Sequence, residues 1–356
     1  MEINSAGTAK PVLGGLLLGE LREVLKSHPP FRSDQVFKGI LSGAGSFDDL
    51  SNLPLSLRRE LSEKYQFVSG RVTSLMEDQG TIKLAIKLED QTIIESVMLR
   101  DGKNRKTACI STQAGCPAAC VFCKTGSLGF KRNLLSAEIA GQYLHLRRSH
   151  GEKSHEISHI VIMGMGEPLL NLAELRKALV YFMDPRGFNI SKRRITLSSC
   201  GIIDGIYDFC ESGPDIRLAI SLVSARQELR DSLMPISRGN PLPLLKEALR
   251  AYQKKRKHRI TLEIVLLGGI NTGAEEAEAL AAFAQGLDTV INIIPWNTVE
   301  GLEHDNKALR APSAREIGRF ISLLEGRKLK VTRRFEKGSA IQGACGQLGS
   351  LQAGLP

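Results

Sequence analysis

Three cysteines, Cys116, Cys120 and Cys123, lie close together in the sequence at the spacing C-x3-C-x2-C. Their thiolates could ligate an iron–sulfur cluster, which is normally held by four cysteine ligands. A structural zinc ion also takes four ligands, and no nearby histidine stands at a usual spacing for the fourth. Three ligands would instead leave one iron of a 4Fe-4S cluster open to a small molecule. The spacing favours such a cluster; the alternatives are a zinc site or three buried thiols.

A second motif, residues 163–168, combines glycines with a carboxylate. Gly166 would let the backbone approach a ligand closely, and Glu167 could pair with an ammonium group. A glycine-rich turn of this kind is weak evidence when it stands alone. Other polar atoms are predicted at strand ends that face the same opening, namely Ser198, the stretch of Ser221, Leu222 and Val223, and Asn297. Each of these alone is more often a strand-end cap than a ligand.

The elements that must position these residues begin after residue 104, where strand and helix patterns alternate. Strands are predicted at 107–111, 159–163, 194–199, 217–222, 260–266 and 290–295, with a further strand at 330–335; helices are predicted near 136–149, 172–183, 204–212, 242–257, 274–286 and 313–325. Six β/α units imply an α/β fold whose parallel sheet curls into a partial (β/α)6 barrel. Chemistry in such barrels lies at the carboxyl ends of the strands, and the cysteine loop follows the first strand.

The segments before this core have a different pattern. Apolar residues with helical periodicity, interrupted by Pro29-Pro30 and by glycines at 43–45, predict a small helical module, whereas alternation with polar turns at 78–80 and 89–91 predicts a β-hairpin extension. The predicted division is a disordered tail at 1–11, the helical module at 12–65, the β extension at 66–101, the core barrel at 102–338 and a C-terminal loop at 339–356.

The charge balance is basic, with 48 Lys and Arg against 38 Asp and Glu and a net charge of +10. A basic surface suits a polyanionic partner such as RNA, although a merely soluble basic enzyme has the same balance. Basic runs at 192–194, 254–259 and 333–334 could neutralise phosphates, and the alternative is a solvated charged face. Aromatic residues make up only 5% of the chain, which leaves little base stacking.

The cellular compartment is predicted from the cysteines and from the hydropathy pattern. Seven unevenly spaced cysteines in a chain of 356 residues indicate a reducing cytoplasm rather than a secreted disulfide framework. The apolar run at 11–19 is typical of a helix start rather than of a signal peptide. No run approaches the roughly 20 apolar residues that span a membrane.

Taken together, the motifs resemble the RlmN/Cfr family of radical S-adenosylmethionine (SAM) RNA methyltransferases, and within it the RlmN branch. The matching runs are 31–36, 115–123, 129–134, 163–171, 191–198, 293–297 and 344–348, and the likeness extends over about residues 12–350. The resemblance implies one 4Fe-4S cluster on the three cysteines and two SAM molecules per turnover. It also implies that Gly166, Glu167, Ser198, Ser221, Leu222, Val223 and Asn297 contact SAM.

The resemblance further assigns roles to two distant thiols and one carboxylate. Cys345 would receive a methyl group from one SAM, and a radical generated from a second SAM would remove a hydrogen from that methyl group. The resulting carbon would add to an adenine, and Cys109 would release the RNA by forming a disulfide with Cys345. Glu95 matches the family's proposed base, although one extra residue separates it from Cys109 here; the alternative is a solvated strand carboxylate.

Four further residues depart from the family pattern or lie outside it. Val223 stands where the family usually carries a histidine, so a SAM contact there would have to come from backbone atoms. Cys200 and Cys210 have no family role, and both are predicted to be small core residues. Glu263 would either contact SAM or be a satisfied carboxylate inside the barrel.

The resemblance implies an enzyme that forms 2-methyladenosine in 23S rRNA and in tRNA beside the anticodon. One alternative is Cfr-like methylation of position 8 of the rRNA adenine. Another is a non-catalytic RNA-binding protein that carries a cluster, against which the retention of Cys109 and Cys345 argues. We further expect a flavodoxin-like electron donor, a monomer, a cytoplasmic location and no membrane association.

Overall fold

The computed structural model describes residues 10–101, 105–150, 157–333 and 338–353. The helices are α1 Leu18–Val24, α2 Phe31–Ser42, α3 Leu55–Lys64, α4 Lys124–Ser127, α5 Ser136–Ser149, α6 Leu172–Met183, α7 Ile203–Ser212, α8 Gln227–Leu233, α9 Leu242–Arg256, α10 Ala274–Ala284 and α11 Ala314–Glu325. The strands are β1 Arg71–Asp78, β2 Thr81–Lys87, β3 Ile93–Arg100, β4 Lys106–Cys109, β5 Gln113–Gly115, β6 Phe130–Asn133, β7 Ile157–Ile162, β8 Ile195–Ser199, β9 Arg217–Ser221, β10 Ile260–Leu266, β11 Thr289–Pro295, β12 Glu303–His304, β13 Lys307–Ala308 and β14 Val331–Arg333.

A single ten-stranded sheet, in the order β1-β2-β3-β4-β7-β8-β9-β10-β11-β14, organises the molecule. From β4 to β14 its neighbouring strands are parallel, and at least one helix lies between each pair along the chain. On one face of β10, Ile260, Leu262, Ile264 and Leu266 are all fully buried, as expected where a parallel strand packs against the core. The predicted α/β fold with a central parallel sheet is confirmed.

The predicted β extension continues this sheet. Strands β1, β2 and β3 form an antiparallel meander, and β3 pairs antiparallel with β4. The first turn of the meander contains Gln79 and Gly80, both with positive φ, as a tight hairpin requires. Across the sheet Lys83 pairs with Val97, and Val97 pairs with Cys109. The side chains of these three residues therefore share one face.

The N-terminal helices pack onto the same hydrophobic core as the sheet. Leu21, Val36 and Leu61 are almost completely buried, and they belong to one apolar cluster with the strands. The chain before α1 is attached through Gln66, whose amide donates to the Pro11 carbonyl over 2.9 Å. Residues 1–9 of the predicted tail lie outside the described residues.

Two of the basic runs lie at the opposite end of the parallel sheet from the cysteine loop. Arg194 immediately precedes β8 and Arg259 immediately precedes β10, so both mark the amino ends of strands. Asp215 neutralises part of this surface by pairing with Lys192 and His258. Over the ranges given above, no helix has the length and apolar character needed to cross a membrane.

Candidate active site

The cysteine loop joins β5 to α4, and backbone hydrogen bonds fix its shape. The Cys116 amide donates to the Gly129 carbonyl over 3.0 Å, and the Cys123 amide donates to the Cys120 carbonyl over 3.1 Å. Gly115 precedes the loop with a φ of 73°, and a Cβ at this position would lie 1.8 Å from the Gly129 oxygen. Only glycine fits there, so the first thiol is positioned by a close contact between two backbone segments.

We expect Gly115→Ala to displace the loop and to reduce the iron bound after anaerobic reconstitution at least several-fold. Gly129→Ala is a matched control, because its φ is 70° but nothing lies within 4 Å of a Cβ there. A left-handed conformation alone costs an L-residue about 1–2 kcal/mol, and both variants bear this cost. The difference in iron content between them therefore reports the steric clash between the new Cβ and the Gly129 oxygen. Equal iron contents in the two variants would contradict this assignment.

Apolar side chains surround the three thiols. Phe122, Met234 and Trp296 belong to a group of buried apolar side chains that packs against the three cysteines. The Trp296 indole donates a hydrogen bond to the Phe122 carbonyl over 2.7 Å. Burial raises the pKa of Cys116 to about 12, and it also raises the pKa of the other two thiols. Metal ligation requires thiolates, so a bound cation would have to compensate the charge that these buried sulfurs carry.

The three thiols line one cavity of about 160 Å³ at the carboxyl ends of the parallel strands. The predicted site residues that line it with them are Gly166, Glu167, Ser198, Ser221, Asn297 and Cys345. Within the described chain, no group of three or more His, Cys, Asp or Glu side chains is placed to hold a single metal ion. A cluster distributes its thiolates over several irons, so sulfurs that line a shared cavity suit a cluster.

Glu167 is the most constrained carboxylate of the cavity, with only 3% of its surface exposed. Its oxygens accept hydrogen bonds from the amides of Leu169 over 3.0 Å and Cys200 over 2.7 Å. Burial nevertheless raises the pKa of Glu167. A bound ammonium group would compensate the buried charge, as the sequence predicted for this position.

Ser198 and Glu263 form the polar floor of the cavity. The Ser198 hydroxyl donates to the Glu263 carboxylate over 2.6 Å, and Asn292 approaches the other carboxylate oxygen at 3.4 Å. Glu263 lines the cavity and is also a hydrogen-bonded interior carboxylate, so both of its predicted features occur together. Ser221 lies in register with Glu263 on the neighbouring strand.

Leu222 and Val223 lie behind the cavity wall. Both side chains are fully buried, and neither is among the described residues that line the cavity. Their amides donate to the Glu263 carbonyl over 3.0 Å and 3.2 Å, while Asn271 donates to the Val223 carbonyl over 3.0 Å. Val223 has a φ of 63°, which is unusual for a β-branched residue. The backbone of Leu222 and Val223 therefore attaches the carboxyl end of β9 to β10.

A second cavity, of about 110 Å³, brings together thiols that are far apart in the sequence. Cys109 on β4, Cys123 of the cysteine loop and Cys345 of the C-terminal segment all line it. Asn297 lines both cavities, and its amide group donates to the Cys345 carbonyl over 2.9 Å. None of the seven cysteines forms a disulfide.

The C-terminal segment is docked directly onto the cysteine loop. The Lys124 amide donates to the Gly346 carbonyl over 2.8 Å, and the Thr125 hydroxyl donates to the Leu348 carbonyl over 2.7 Å. These contacts use backbone atoms of the segment, so they hold Cys345 in place independently of its side chain.

Glu95 is fully buried beside Lys83, whose ammonium lies 2.8 Å from Oε2. That contact is an ion pair rather than a well-directed hydrogen bond. Lys83 also donates to the Gln342 carbonyl over 3.1 Å and to the Ser350 hydroxyl over 2.8 Å, and the Leu351 amide donates to Glu95 Oε1 over 2.9 Å. The alternative of a solvated strand carboxylate is therefore wrong. The sequence interpretation missed Lys83, whose strand pattern gave no sign of an ion pair.

Cys200 and Cys210 are both buried, as predicted. Cys200 also lines the larger cavity, and its amide holds Glu167, a contact that the sequence interpretation missed. Burial raises the pKa of Cys200 far above its usual value. Arg230 was missed as well, although its guanidinium is buried beside Cys200 and donates to the Cys200 carbonyl over 2.6 Å.

Comparisons with known proteins agree with this arrangement. The model of the Radical SAM superfamily matches residues 110–284. A relative from Treponema denticola, named "Probable dual-specificity RNA methyltransferase RlmN", is 44% identical over 97% of this chain and 97% of its own length. A relative of the same name from Syntrophomonas wolfei is 39% identical over 96% of this chain and 98% of its own length. A solved radical SAM methyltransferase from Sphaerobacter thermophilus superimposes with a TM-score of 0.89 at 32% identity, covering 95% of this chain and 99% of that chain.

The parallel sheet with a three-cysteine loop at its carboxyl edge defines a radical SAM enzyme, a class that uses a 4Fe-4S cluster and SAM. More particularly, the chain belongs to the RlmN family of radical SAM methyltransferases. The residues present fit both cofactors, because the three thiols and the Glu167 carboxylate line one cavity. The predictions of an enzyme and of these cofactors are confirmed.

Proposed function

We propose that this enzyme forms 2-methyladenosine in 23S rRNA and in tRNA beside the anticodon. The names of its relatives, which describe dual-specificity RNA methyltransferases, support an RNA substrate. The observation that carries the mechanism is the shared cavity of Cys109, Cys123 and Cys345, because it joins two thiols outside the cluster motif to the cluster loop. A methyltransferase that passed a methyl group directly from SAM would need neither of the two additional thiols.

When bound, the cluster and SAM supply the methyl carbon and the one-electron chemistry that activates it. Cys345 takes up the methyl carbon on its sulfur. The one-electron chemistry would remove one hydrogen atom from that carbon, which then bonds to carbon 2 of the adenine, a position that is not nucleophilic. The adduct would return its unpaired electron to the oxidised cluster and lose the ring proton to a base. Cys109 then attacks the Cys345 sulfur, so that an S–S bond forms as the bond from sulfur to the transferred carbon breaks. The electron pair of that bond stays with the carbon, which takes a proton and becomes the methyl group. An external thiol reduces the disulfide before the next turnover.

In this scheme Glu95 removes the ring proton of the adenine. Glu95 is two residues from Val97, the cross-strand partner of Cys109, so its side chain lies on the same face of the sheet as that thiol. Contacts from Gln342, Ser350 and Leu351 close over the Lys83–Glu95 pair. Glu95 therefore takes up the proton only when this part of the C-terminal segment lifts.

The larger cavity is the proposed SAM site. Glu167 pairs with the amino group of SAM, and Gly166 allows the backbone to approach it, since its φ is 101° and a Cβ would lie 2.5 Å from Gln113. Ser198, Ser221 and Asn297 offer further polar atoms from three strand ends. Leu222 and Val223 contribute by fixing Glu263 through their amides.

For the RNA, the exposed strand β6 is better placed than the basic runs at 192–194 and 254–259. Phe130 is about half exposed, Lys131 is exposed, and both follow Gly129, which bonds to Cys116. An aromatic ring beside a lysine suits the stacking of an unpaired base next to a phosphate.

We further propose that the protein is a monomer and that it receives electrons from a flavodoxin-like donor. We place it in the cytoplasm, because reduced thiols and a low-potential cluster both require a reducing compartment.

The proposed product is tested by digesting total RNA from a strain that lacks the protein. We expect 2-methyladenosine to disappear from both the 23S rRNA and the tRNA fractions, and plasmid-borne protein to restore it. Loss of 8-methyladenosine instead would favour the Cfr-like activity. Unchanged nucleosides in both fractions would refute the proposal.

A further inference from the structure

Arg230, on α8, carries a guanidinium group that is completely buried. Its Nη2 donates to the Cys200 carbonyl over 2.6 Å. The remaining nitrogens, Nε and Nη1, are buried and have no hydrogen-bond partner in the described part of the protein. Arginine stays protonated in proteins, and a buried charge without an opposite charge is strongly destabilising. The fold therefore holds a positive charge that no carboxylate of the described residues pairs with.

No carboxylate of the described residues forms an ion pair with Arg230. The nearest in sequence, Asp231, instead accepts hydrogen bonds from Gln227 and Ser237. The Cys200 carbonyl is neutral, so it satisfies one donor without balancing the charge. Asp231 is near enough to act on Arg230 at a distance, but no described carboxylate contacts the guanidinium, which leaves it open to a bound anionic group.

The position of Arg230 indicates which anion that is. Its acceptor, Cys200, lines the larger cavity together with the three cysteines of the cluster motif. Helix α8 contacts the cysteine loop directly, because the Val121 amide donates to the Leu233 carbonyl over 3.0 Å. Apolar side chains enclose this region, and electrostatic effects are strong where the local dielectric constant is low.

We propose that Arg230 compensates the negative charge of the thiolate-ligated iron–sulfur cluster from within the core and thereby raises the reduction potential of the cluster. Reduction adds one electron from an external low-potential donor and neither forms nor breaks a bond at Arg230. The added negative charge is stabilised by the guanidinium, so the reduced form is favoured. This inference rests on the family's cluster and is independent of the proposed RNA product.

A redox titration of the reconstituted enzyme with dithionite, followed by electron paramagnetic resonance, tests the proposal. We expect Arg230→Met to lower the equilibrium constant for reduction about tenfold, which is about 59 mV for a one-electron couple. Arg230→Lys, which keeps the charge, should shift the potential less. Arg226→Met removes a positive charge from the residue just before the same helix, where Arg226 forms an exposed ion pair with Glu275, and it should leave the potential unchanged. An unchanged potential in Arg230→Met would overturn the proposal.

The thermal unfolding of the cluster-free protein separates this role from a structural one. Without a cluster the buried charge is uncompensated, so Arg230→Met should unfold at a temperature at least as high as the unaltered chain. If cluster-free Arg230→Met unfolds at the same temperature as the unaltered protein but retains less iron after reconstitution, the proposal is supported, because binding of the cluster then depends on the positive charge of Arg230. A clearly lower unfolding temperature of cluster-free Arg230→Met would overturn it, since Arg230 would then serve the fold itself.

Discussion

Replacing Cys345 by alanine is expected to abolish RNA methylation completely, whereas replacing Cys109 is expected to trap a covalent complex between the protein and its RNA. In the proposed mechanism Cys345 carries the carbon, so its loss prevents both the product and the crosslink. Cys109 acts only after the crosslink exists, so its loss leaves the RNA attached. The measurement is denaturing gel electrophoresis with labelled RNA, together with mass spectrometry of the digested nucleosides.

The structure allows a clean interpretation of the Cys345→Ala variant. The segment around Cys345 is held by the Asn297 side chain and by Lys124 and Thr125, all of which bind its carbonyl groups. Alanine preserves these backbone contacts, so the loss of methylation reports the missing sulfur rather than an undocked segment. Cys210→Ala is the control, because this buried thiol lies on α7 and lines neither of the two cavities. Continued turnover by Cys345→Ala would refute the two-thiol mechanism.

Local signals in the sequence were sufficient for the parallel core and the cluster loop. Cys116, Cys120 and Cys123 all lie within one loop, so their spacing could be recognised directly. The apolar patterns of the strands are short and regular, as at Ile260–Leu266. Each of these signals is a local pattern that can be recognised within one continuous segment of the sequence. The loop accordingly lies at the carboxyl ends of the strands, where the predicted β/α succession placed it.

Contacts between distant segments were not accessible from local patterns. Nothing in the spacing of Cys109 and Cys345 indicates that they share a cavity, and only the family resemblance predicted their relation. The burial of Lys83 and Arg230 was also unforeseen, because an isolated basic residue in a sequence normally indicates solvent. The RNA contacts of the basic runs stay a prediction, because a charge run does not record which end of the sheet it occupies.

The Lys83–Glu95 pair provides the second large expected effect. We expect Lys83→Met to lower the free energy of unfolding by about 3–5 kcal/mol, because it leaves the Glu95 carboxylate buried without its partner. Lys64→Met is the matched control: Lys64 also lies 2.8 Å from a glutamate, Glu60, but this pair is partly exposed. An exposed pair contributes little to stability because water screens its charges, so chemical denaturation should separate the two variants clearly.

The double variant Lys83→Met/Glu95→Leu distinguishes the structural role of the pair from the catalytic role of Glu95. Removing both charges should restore most of the stability, since a buried ion pair can be replaced by apolar residues at little cost. Turnover should remain lost, because the proposed base is absent. Hydrogen exchange of residues 338–353 should be fast in Lys83→Met, which loses the contacts to Gln342 and Ser350. A double variant that recovered both stability and turnover would show that Glu95 is not the base and that the pair serves only to dock the C-terminal segment.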